Sequence, residues 1–410
     1  MPLFIWSCGR VSRQESDDRV IEECQACGSS AVEPFFSLER IPLSSCALFP
    51  TSLAASEFGR GDLELAVCHI CGFIQNRLFD PELVDYTLPY EESQAFSPRF
   101  IAFQEELIAK LIIDHDLAGK TILEIGCGKG AFLEAICRGA GATGIGIDPA
   151  GDFSRVGSDV DLTLIREHFD SSRTGLTGDL ICCRHTLEHI QAVGSFVADV
   201  AVSVRSNPGS VVFFELPDTQ RILDEGAFWD VYYEHCSYFT IGSLGHLFRS
   251  QGLTTTSLER GFDDQYILLE ARDGPDVGSS DLSVVEQTVD RCRSFGQLAE
   301  REVKRWRRLI AEGAARGQTV VIWGAGSKAV GFLSALGRDE AIRAVVDVNP
   351  FKQNSFLPGS AHEIVSPVAL QEIVPDLVVV MNPVYAGEIG EMLSDLGLHP
   401  RLASLGAARR

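Results

Sequence analysis

Thr121-Ile-Leu-Glu-Ile-Gly-Cys-Gly-Lys-Gly-Ala-Phe-Leu133 is the stretch that decides the fold of this chain. Its apolar run, Ile122 to Ile125, reads as a buried strand that breaks into Gly126-x-Gly128-x-Gly130 and then into an apolar helix start. A second short strand, Gly144-Ile-Gly-Ile147, ends in Asp148, 22 residues after Gly126. Strand, glycine turn, helix and a second strand ending in an acid make the first unit of a nucleotide-binding α/β sheet. The GxGxG spacing preceded by Glu124 differs from the GxGxxG that suits a pyrophosphate. S-adenosylmethionine carries no phosphate, so the glycines would let the backbone approach its methionine portion and ribose. Glu124, Gly126, Gly128, Gly130 and Asp148 are thus the expected cofactor-binding residues, Asp148 accepting from the ribose hydroxyls. The alternative is a glycine turn that serves only sheet packing.

Working outward, 410 residues suggest two or three domains. Hydrophobic content of 45% and charged content of 22% are those of an ordinary soluble globular protein. A net charge of -22 argues against a nucleic-acid polymer or an anionic membrane as partner, since either calls for a basic face. It leaves room for one phosphorylated ligand held by local Lys or Arg. Phe4-Ile-Trp6 is too short for a signal-peptide core, and no apolar run reaches the length of a membrane span, so a cytoplasmic location is expected. The sequence is silent on oligomeric state.

Residues 1–20 read as a disordered tail. Cys24-Gln-Ala-Cys27-Gly28 follows, and then, with 40 residues between Cys27 and Cys68, Cys68-His-Ile-Cys71-Gly72. Each CxxCG is a knuckle: two thiolates face one ion and the glycine permits the tight turn. Cys24, Cys27, Cys68 and Cys71 supply the four soft ligands of a structural Zn²⁺ tetrahedron. A redox CxxC reading is weaker, because neither pair opens a helix in a βαβ setting. A segment over 21–85 with few large apolar side chains needs such a staple. Cys127, Cys137, Cys182, Cys183 and Cys236 instead lie in or beside apparent core segments, as small hydrophobes.

Tyr86-Thr-Leu-Pro-Tyr90-Glu-Glu-Ser93 reads as a polar-aromatic connector into a helix from Pro98 to about His115. Its tyrosines would line a pocket or pack a linker. Beyond Asp148, Gly178–Cys183 and Ser210–Leu216 read as strands. Ligands of open α/β sheets bind at the carboxyl ends of strands, which brings His185, Glu188, His189 and Glu215 to the expected site. Phe228-Trp-Asp-Val-Tyr-Tyr-Glu-His-Cys-Ser-Tyr-Phe239 gathers three tyrosines, a glutamate and a histidine within seven residues. A histidine beside a carboxylate can act as a base, and tyrosine hydroxyls can stabilise an oxyanion. An aromatic lid with a structural Glu–His pair is the other reading.

Paired CxxCG knuckles, a tyrosine-rich connector, LEIGCGKG and Tyr232-Tyr-Glu234-His235-Cys-Ser-Tyr-Phe together resemble the sugar C-methyltransferase family, in the same domain order from Cys24 onward. The resemblance implies three domains of α/β class: a small zinc-bound N-terminal domain, a class I methyltransferase Rossmann-like domain and a C-terminal Rossmann-like domain. It implies S-adenosylmethionine as methyl donor and a nucleotide-linked 4-keto-deoxysugar as acceptor. It carries active-site roles onto Tyr232, Glu234 and His235, with His189 after the fourth strand of the cofactor domain and Tyr90 in the connector. Two departures stand out. Tyr233 occupies a position where the family often has histidine, and the serine-rich run after the connector tyrosine is reduced to Glu-Glu-Ser93.

Domains are expected over 21–85 (zinc), 86–275 (methyltransferase) and 316–410 (C-terminal), with a helical connector over 276–315. Val285, Val289, Cys292, Leu298, Trp306, Leu309 and Ile310 recur along it at roughly helical spacing. Thr319–Trp323 then leads into Gly324-Ala-Gly326-Ser-Lys328-Ala329, and Ala344-Val-Val346 ends in Asp347. In isolation that is a dinucleotide fingerprint. Lys328 at the helix start would bind a diphosphate, or the turn would only pack. The expected reaction is C-methylation beside a ketone through an enolate, with His235 as base and Glu234 orienting it. Rival readings are an O- or N-methyltransferase, a nicotinamide-dependent oxidoreductase using the C-terminal motif, and a zinc-knuckle interaction protein.

Overall fold

The fold is that of a computed structural model, which describes residues 20–85, 90–171, 175–275, 282–337 and 341–406. The residues before 20, and Tyr86 of the connector, lie outside that set. Three sheets organise the rest.

The first is antiparallel: β1 (Val32–Pro42), β2 (Arg60–Cys68) and β3 (Ile74–Asn76), with a short helix α1 (Ser52–Glu57) between β1 and β2. The chain then enters helix α2 (Pro98–His115). Proline stands in its first turn, where no intrahelical N–H is needed, and Ser97 caps it by accepting from Phe100 N–H.

The middle sheet follows: β4 (Thr121–Ile125), α3 (Ala131–Ala140), β5 (Thr143–Ile147), β6 (Leu162–Ile165), β7 (Leu180–Arg184), α4 (Val193–Ser206), β8 (Val211–Pro217), α5 (Thr219–Glu225), β9 (Ser237–Tyr238), α6 (Ile241–Ser250), β10 (Leu253–Gly261) and β11 (Tyr266–Asp273). Its seven strands run in the order β10-β11-β8-β7-β4-β5-β6. β4 pairs in parallel with both β5 and β7, whereas β11 is antiparallel to β8 and β10. Strand order therefore reverses at β4, the place where an open α/β sheet leaves a crevice for a ligand. This is the class I methyltransferase Rossmann-like arrangement.

One strand of this region leaves its own sheet. β9 pairs with β3 (Ile74↔Tyr238, Gln75↔Ser237) and becomes the fourth strand of the first sheet. The segment carrying Tyr232, Glu234 and His235 is thereby fastened to the N-terminal region.

Helix α7 (Leu282–Ala315) buries Val285, Val289, Cys292, Phe295, Ala299, Val303, Trp306 and Ile310 along one stripe. Leu298 and Leu309 of the expected stripe are only half-buried; Phe295, Ala299 and Val303 take the inner positions. The third sheet is wholly parallel: β12 (Val320–Trp323), helix α8 (Ser327–Leu336), β13 (Ile342–Val346), β14 (Ile364–Val365), β15 (Leu377–Val380), helix α9 (Ala386–Asp395) and β16 (Arg401–Ser404), in the order β14-β13-β12-β15-β16.

A single apolar core joins Phe36, Leu63 and Ile74 of the first sheet to Trp229 and Tyr233, to Phe295 and Trp306 of α7, and to Ile322 and Phe332 of the C-terminal region. The N-terminal region thus rests on borrowed apolar partners as well as on its four cysteines. Among the described residues no helix is long and apolar enough to cross a membrane.

Candidate active site

The glycine turn after β4 adopts left-handed backbone at Gly126, Gly128 and Gly130 (φ of 71°, 53° and 75°). A Cβ on Gly126 would lie 2.1 Å from Thr186 Oγ1, so the turn needs glycine for space as well as for conformation. Asp148, at the end of β5, accepts from Gly128 N–H at 2.9 Å and from Ala150 N–H at 2.8 Å, which holds the acid beside the turn.

Glu124, one residue short of the end of β4, is buried, and Oε2 has no hydrogen-bond partner among the described residues. Burial pushes its carboxyl up to about 8, although Arg184 pulls the other way. A buried, unpaired carboxylate oxygen beside a glycine turn suits a ligand that brings positive charge. The connector lies over this turn: Lys129 Nζ donates to Tyr90 O at 3.1 Å and to Glu92 Oε2 at 2.5 Å.

At the ends of β7 and β8, Arg184 Nε donates to Glu215 Oε2 at 2.6 Å and its guanidinium lies over the Phe132 ring at 4.0 Å. His185, in left-handed backbone (φ 46°), sits between Glu215 Oε1 at 3.1 Å and Glu188 Oε1 at 3.7 Å. Burial works against its charged form, but Glu215 and Glu188 prevail and raise it to about 9. His185 is therefore a cation locked between two acids.

The rings of His189 and His235 meet edge to face at 4.8 Å, and Tyr232 meets His235 at 4.9 Å. His189 Nδ1 donates to the Glu234 carbonyl at 3.1 Å. Burial first, and His189 second, push His235 down to about 3, so its imidazole stands neutral; Glu188 and Asp230 oppose that fall. The Tyr232 hydroxyl donates to Asp230 Oδ1 at 2.9 Å. Asp230 also receives Arg221 at 2.7 Å and Lys328, and despite its burial these two cations hold it well below the usual carboxylate range.

Four cysteines gather at the edge of the first sheet. Cys24 Sγ lies 3.6 Å from Cys71 Sγ and Cys27 Sγ 3.7 Å from Cys68 Sγ, with all four sulfurs within 4.8 Å of one another. A tetrahedron with metal–sulfur bonds of about 2.3 Å has edges of roughly 3.8 Å, so the donor set fits Zn²⁺. The knuckle glycines, Gly28 and Gly72, take left-handed backbone (φ of 73° and 69°). His69 turns aside to Glu33 at 2.8 Å.

Residues 95–258 match a family described as methyltransferase domain, and residues 283–397 match one described as C-methyltransferase C-terminal domain.

The chain is a methyltransferase.

This methyltransferase is 29% identical over 393 residues to C-methyltransferase NovU of Streptomyces niveus, spanning 90% of this chain and 92% of the relative. Ubiquinone biosynthesis O-methyltransferase of Thiobacillus denitrificans is 37% identical over 107 residues, which is 24% of this chain and 44% of that protein. A solved chain of magnesium protoporphyrin IX methyltransferase from Synechocystis PCC 6803, with bound SAH, covers 42% of this chain and 82% of its own at 15% identity and a TM-score of 0.33, a likeness too slight to carry weight.

In the methyltransferase, Tyr232, His235 and His189 come together, and Tyr90 lies in the connector above the glycine turn. Glu234 departs from the role expected of it. Its carboxylate does not orient His235 but accepts from Ser45 N–H at 2.8 Å and from the Ser45 hydroxyl, while its backbone carbonyl holds His189. The reason is tertiary: β9 draws the segment onto the first sheet, which turns the Glu234 side chain toward the loop after β1. Ser45 Oγ accepts in turn from the Ser327 hydroxyl at 2.8 Å, so the C-terminal region reaches the same cluster. Ser45 and Arg184 stand outside every motif quoted above, and Asp230 and Ser327 lie inside quoted stretches that gave no reason to single them out.

Proposed function

We propose that this methyltransferase transfers a methyl group to carbon, beside the ketone of a nucleotide-linked 4-keto-deoxysugar. The observation that carries the proposal is the half-buried His235 ring packed edge to face between His189 and Tyr232, flanked by polar groups suited to a ketone oxygen. The relative from Streptomyces niveus, named a C-methyltransferase, supports the atom methylated. The resemblance of the motifs to sugar C-methyltransferases supports the substrate class.

A ketone acidifies the neighbouring C–H. His235 takes that proton, and the electron pair moves onto the ketone oxygen to give an enolate. Tyr90 from the connector, and Tyr232 once its hydroxyl leaves Asp230, donate to the oxygen as its charge grows, while His189 packs against His235 and holds its ring. Glu188 and Asp230, which oppose the fall in His235 basicity, favour the imidazolium once it forms. S-adenosylmethionine supplies the electrophilic methyl group. Glu124 and the close backbone approach that the Gly126–Gly130 turn permits would hold it, with Asp148 at its ribose, so that the enolate carbon takes the methyl group and S-adenosylhomocysteine leaves.

Cys24, Cys27, Cys68 and Cys71 hold a structural Zn²⁺. Its part is indirect: the ion fixes the knuckles beside β2 and β3, and β3 holds β9 and hence the segment bearing His235.

The test is methyl transfer from isotopically labelled S-adenosylmethionine to a panel of nucleotide-linked 4-keto-deoxysugars, in water and in deuterium oxide, read by mass spectrometry. We expect label on carbon, with deuterium entering the position next to the ketone. Label on oxygen, or neither transfer nor exchange on any member, overturns the proposal.

A further inference from the structure

The catalytic rings of His189 and His235 form, with Glu188, a donor set of the kind that holds a metal ion. Glu188, His189 and His235 each offer one ligand atom, and the three atoms lie within 4.8 Å of one another. Two further observations point the set at an ion. The Glu188 side chain is 3% exposed; Oε1 faces His185 at 3.7 Å, and Oε2 is buried with no hydrogen-bond partner among the described residues. A buried carboxylate oxygen without a partner is costly, and a bound cation removes that cost. His189 donates Nδ1–H to the Glu234 carbonyl, which leaves its lone pair on Nε2. A ring nitrogen fixed on a backbone carbonyl is the usual support of a metal-bound histidine, since it sets both the tautomer and the ring plane.

We propose that Glu188, His189 and His235 bind a divalent transition-metal ion of the zinc class, in competition with the acceptor substrate. Two imidazoles and one carboxylate suit zinc or cobalt better than magnesium or calcium, which prefer all-oxygen shells. Three protein ligands leave a fourth position open to water. The ion takes the lone pair of His235, so it and the proton-abstraction step exclude one another. The site is separate from the four cysteines and different in kind, with nitrogen and oxygen donors in place of thiolates. Binding is independent of the proposed reaction; only the competition rests on that reading.

Cobalt(II) titrated into the full chain as purified tests the binding. We expect visible ligand-field bands that saturate at one equivalent, without the near-ultraviolet thiolate-to-cobalt charge transfer that the cysteines would give. Glu188→Gln and His235→Asn should each weaken binding by at least the roughly 10- to 100-fold that loss of an outer-shell partner costs. Retained binding of S-adenosylhomocysteine shows that each variant is folded. Absence of the bands, bands with thiolate character, or affinity unchanged in both folded variants overturns the proposal. In the methylation assay, zinc should raise KM for the acceptor and leave kcat unchanged; a fall in kcat at saturating acceptor overturns the competition. Should no keto-sugar be methylated, the cobalt titration still decides the site.

Discussion

The middle and C-terminal regions each contain a parallel strand, a glycine turn, a helix and a second strand ending in an acid, yet the two turns are used differently. After β4, three glycines in left-handed backbone are followed by half-exposed Asp148. After β12, Gly324 alone is left-handed (φ 108°), and Asp347, 8% exposed, accepts from Ala325 N–H at 2.7 Å and Asn349 N–H at 2.8 Å with Lys352 at 3.6 Å. Where the middle sheet buries Glu124 two residues before its turn, the C-terminal sheet has Ile322. In the first turn Asp148 also accepts from two backbone amides, but it stays half-exposed, and Glu124 Oε2 has no hydrogen-bond partner among the described residues. The second has closed on its own lysine and asparagine, and its helix start is directed at a neighbour: Ser327 meets Ser45, and Lys328 meets Asp230. A shared local pattern therefore does not imply a shared ligand.

The widest contrast lies in the chemistry. His235→Asn should lower the rate of methyl transfer by about 10²- to 10⁴-fold, the usual size of a general acid–base contribution, and leave S-adenosylmethionine affinity near normal. Labelled-methyl turnover beside a direct binding titration reads both. Unchanged turnover would remove His235 from the mechanism and with it the claim that the middle region alone holds the reactive groups.

A smaller effect separates the two acids. Asp148→Ala should weaken S-adenosylmethionine binding by about 1.5–3 kcal/mol, roughly ten- to a hundredfold or slightly more. Asp347→Ala should leave that affinity unaltered and lower stability instead, because it strips the cap from two buried amides. The same calorimeter can titrate NADH; tight NADH binding that Asp347→Ala abolishes would break the comparison.

Lys328→Met should cost about 1–3 kcal/mol of stability, since buried Asp230 keeps Arg221 but loses one charged partner. Denaturant unfolding measures it. A large rise in KM for the nucleotide sugar at unchanged stability would instead assign Lys328 to a diphosphate.

A further effect is a pH dependence confined to the middle turn. Glu124 is raised from 4.5 to about 8 by burial, so between those values the folded chain holds more protons than the unfolded one. Its contribution to stability is full below about 4.5 and is lost as pH rises through 8. Glu124→Gln should therefore gain stability relative to the parent between pH 5 and pH 9, whereas Ile322→Val should show a difference that does not vary with pH. A parallel pair of curves would mean that Glu124 is not held neutral.

Much of this was legible in the residues. The 121–133 stretch announced the middle sheet, because a β-run that breaks into glycines and restarts as an amphipathic helix has few other solutions. The CxxCG pairs announced their cluster, because two-residue spacing and a left-handed glycine bring two thiolates to one point. Tyr232 and His235 were found through a motif and do meet. The role expected of Glu234 was not legible locally: β9 draws its segment onto the first sheet, where Ser45 takes the Glu234 carboxylate. Ser45, Asp230 and Ser327 were invisible, since serine and aspartate are common on any surface and acquire a role only from what packs against them.

By itself, the sequence determined the local conformations: glycine turns, knuckles, capped helices and the order of strands, each set by dihedral preference and apolar period over a few residues. The tertiary structure decided the site. Ser45, Tyr90, His189, His235 and Ser327 come from five separate places in the chain and are brought together by one shared apolar core and by β9 crossing into the first sheet. Burial of apolar surface depends on area and not on sequence distance, and no local pattern records which distant faces will meet.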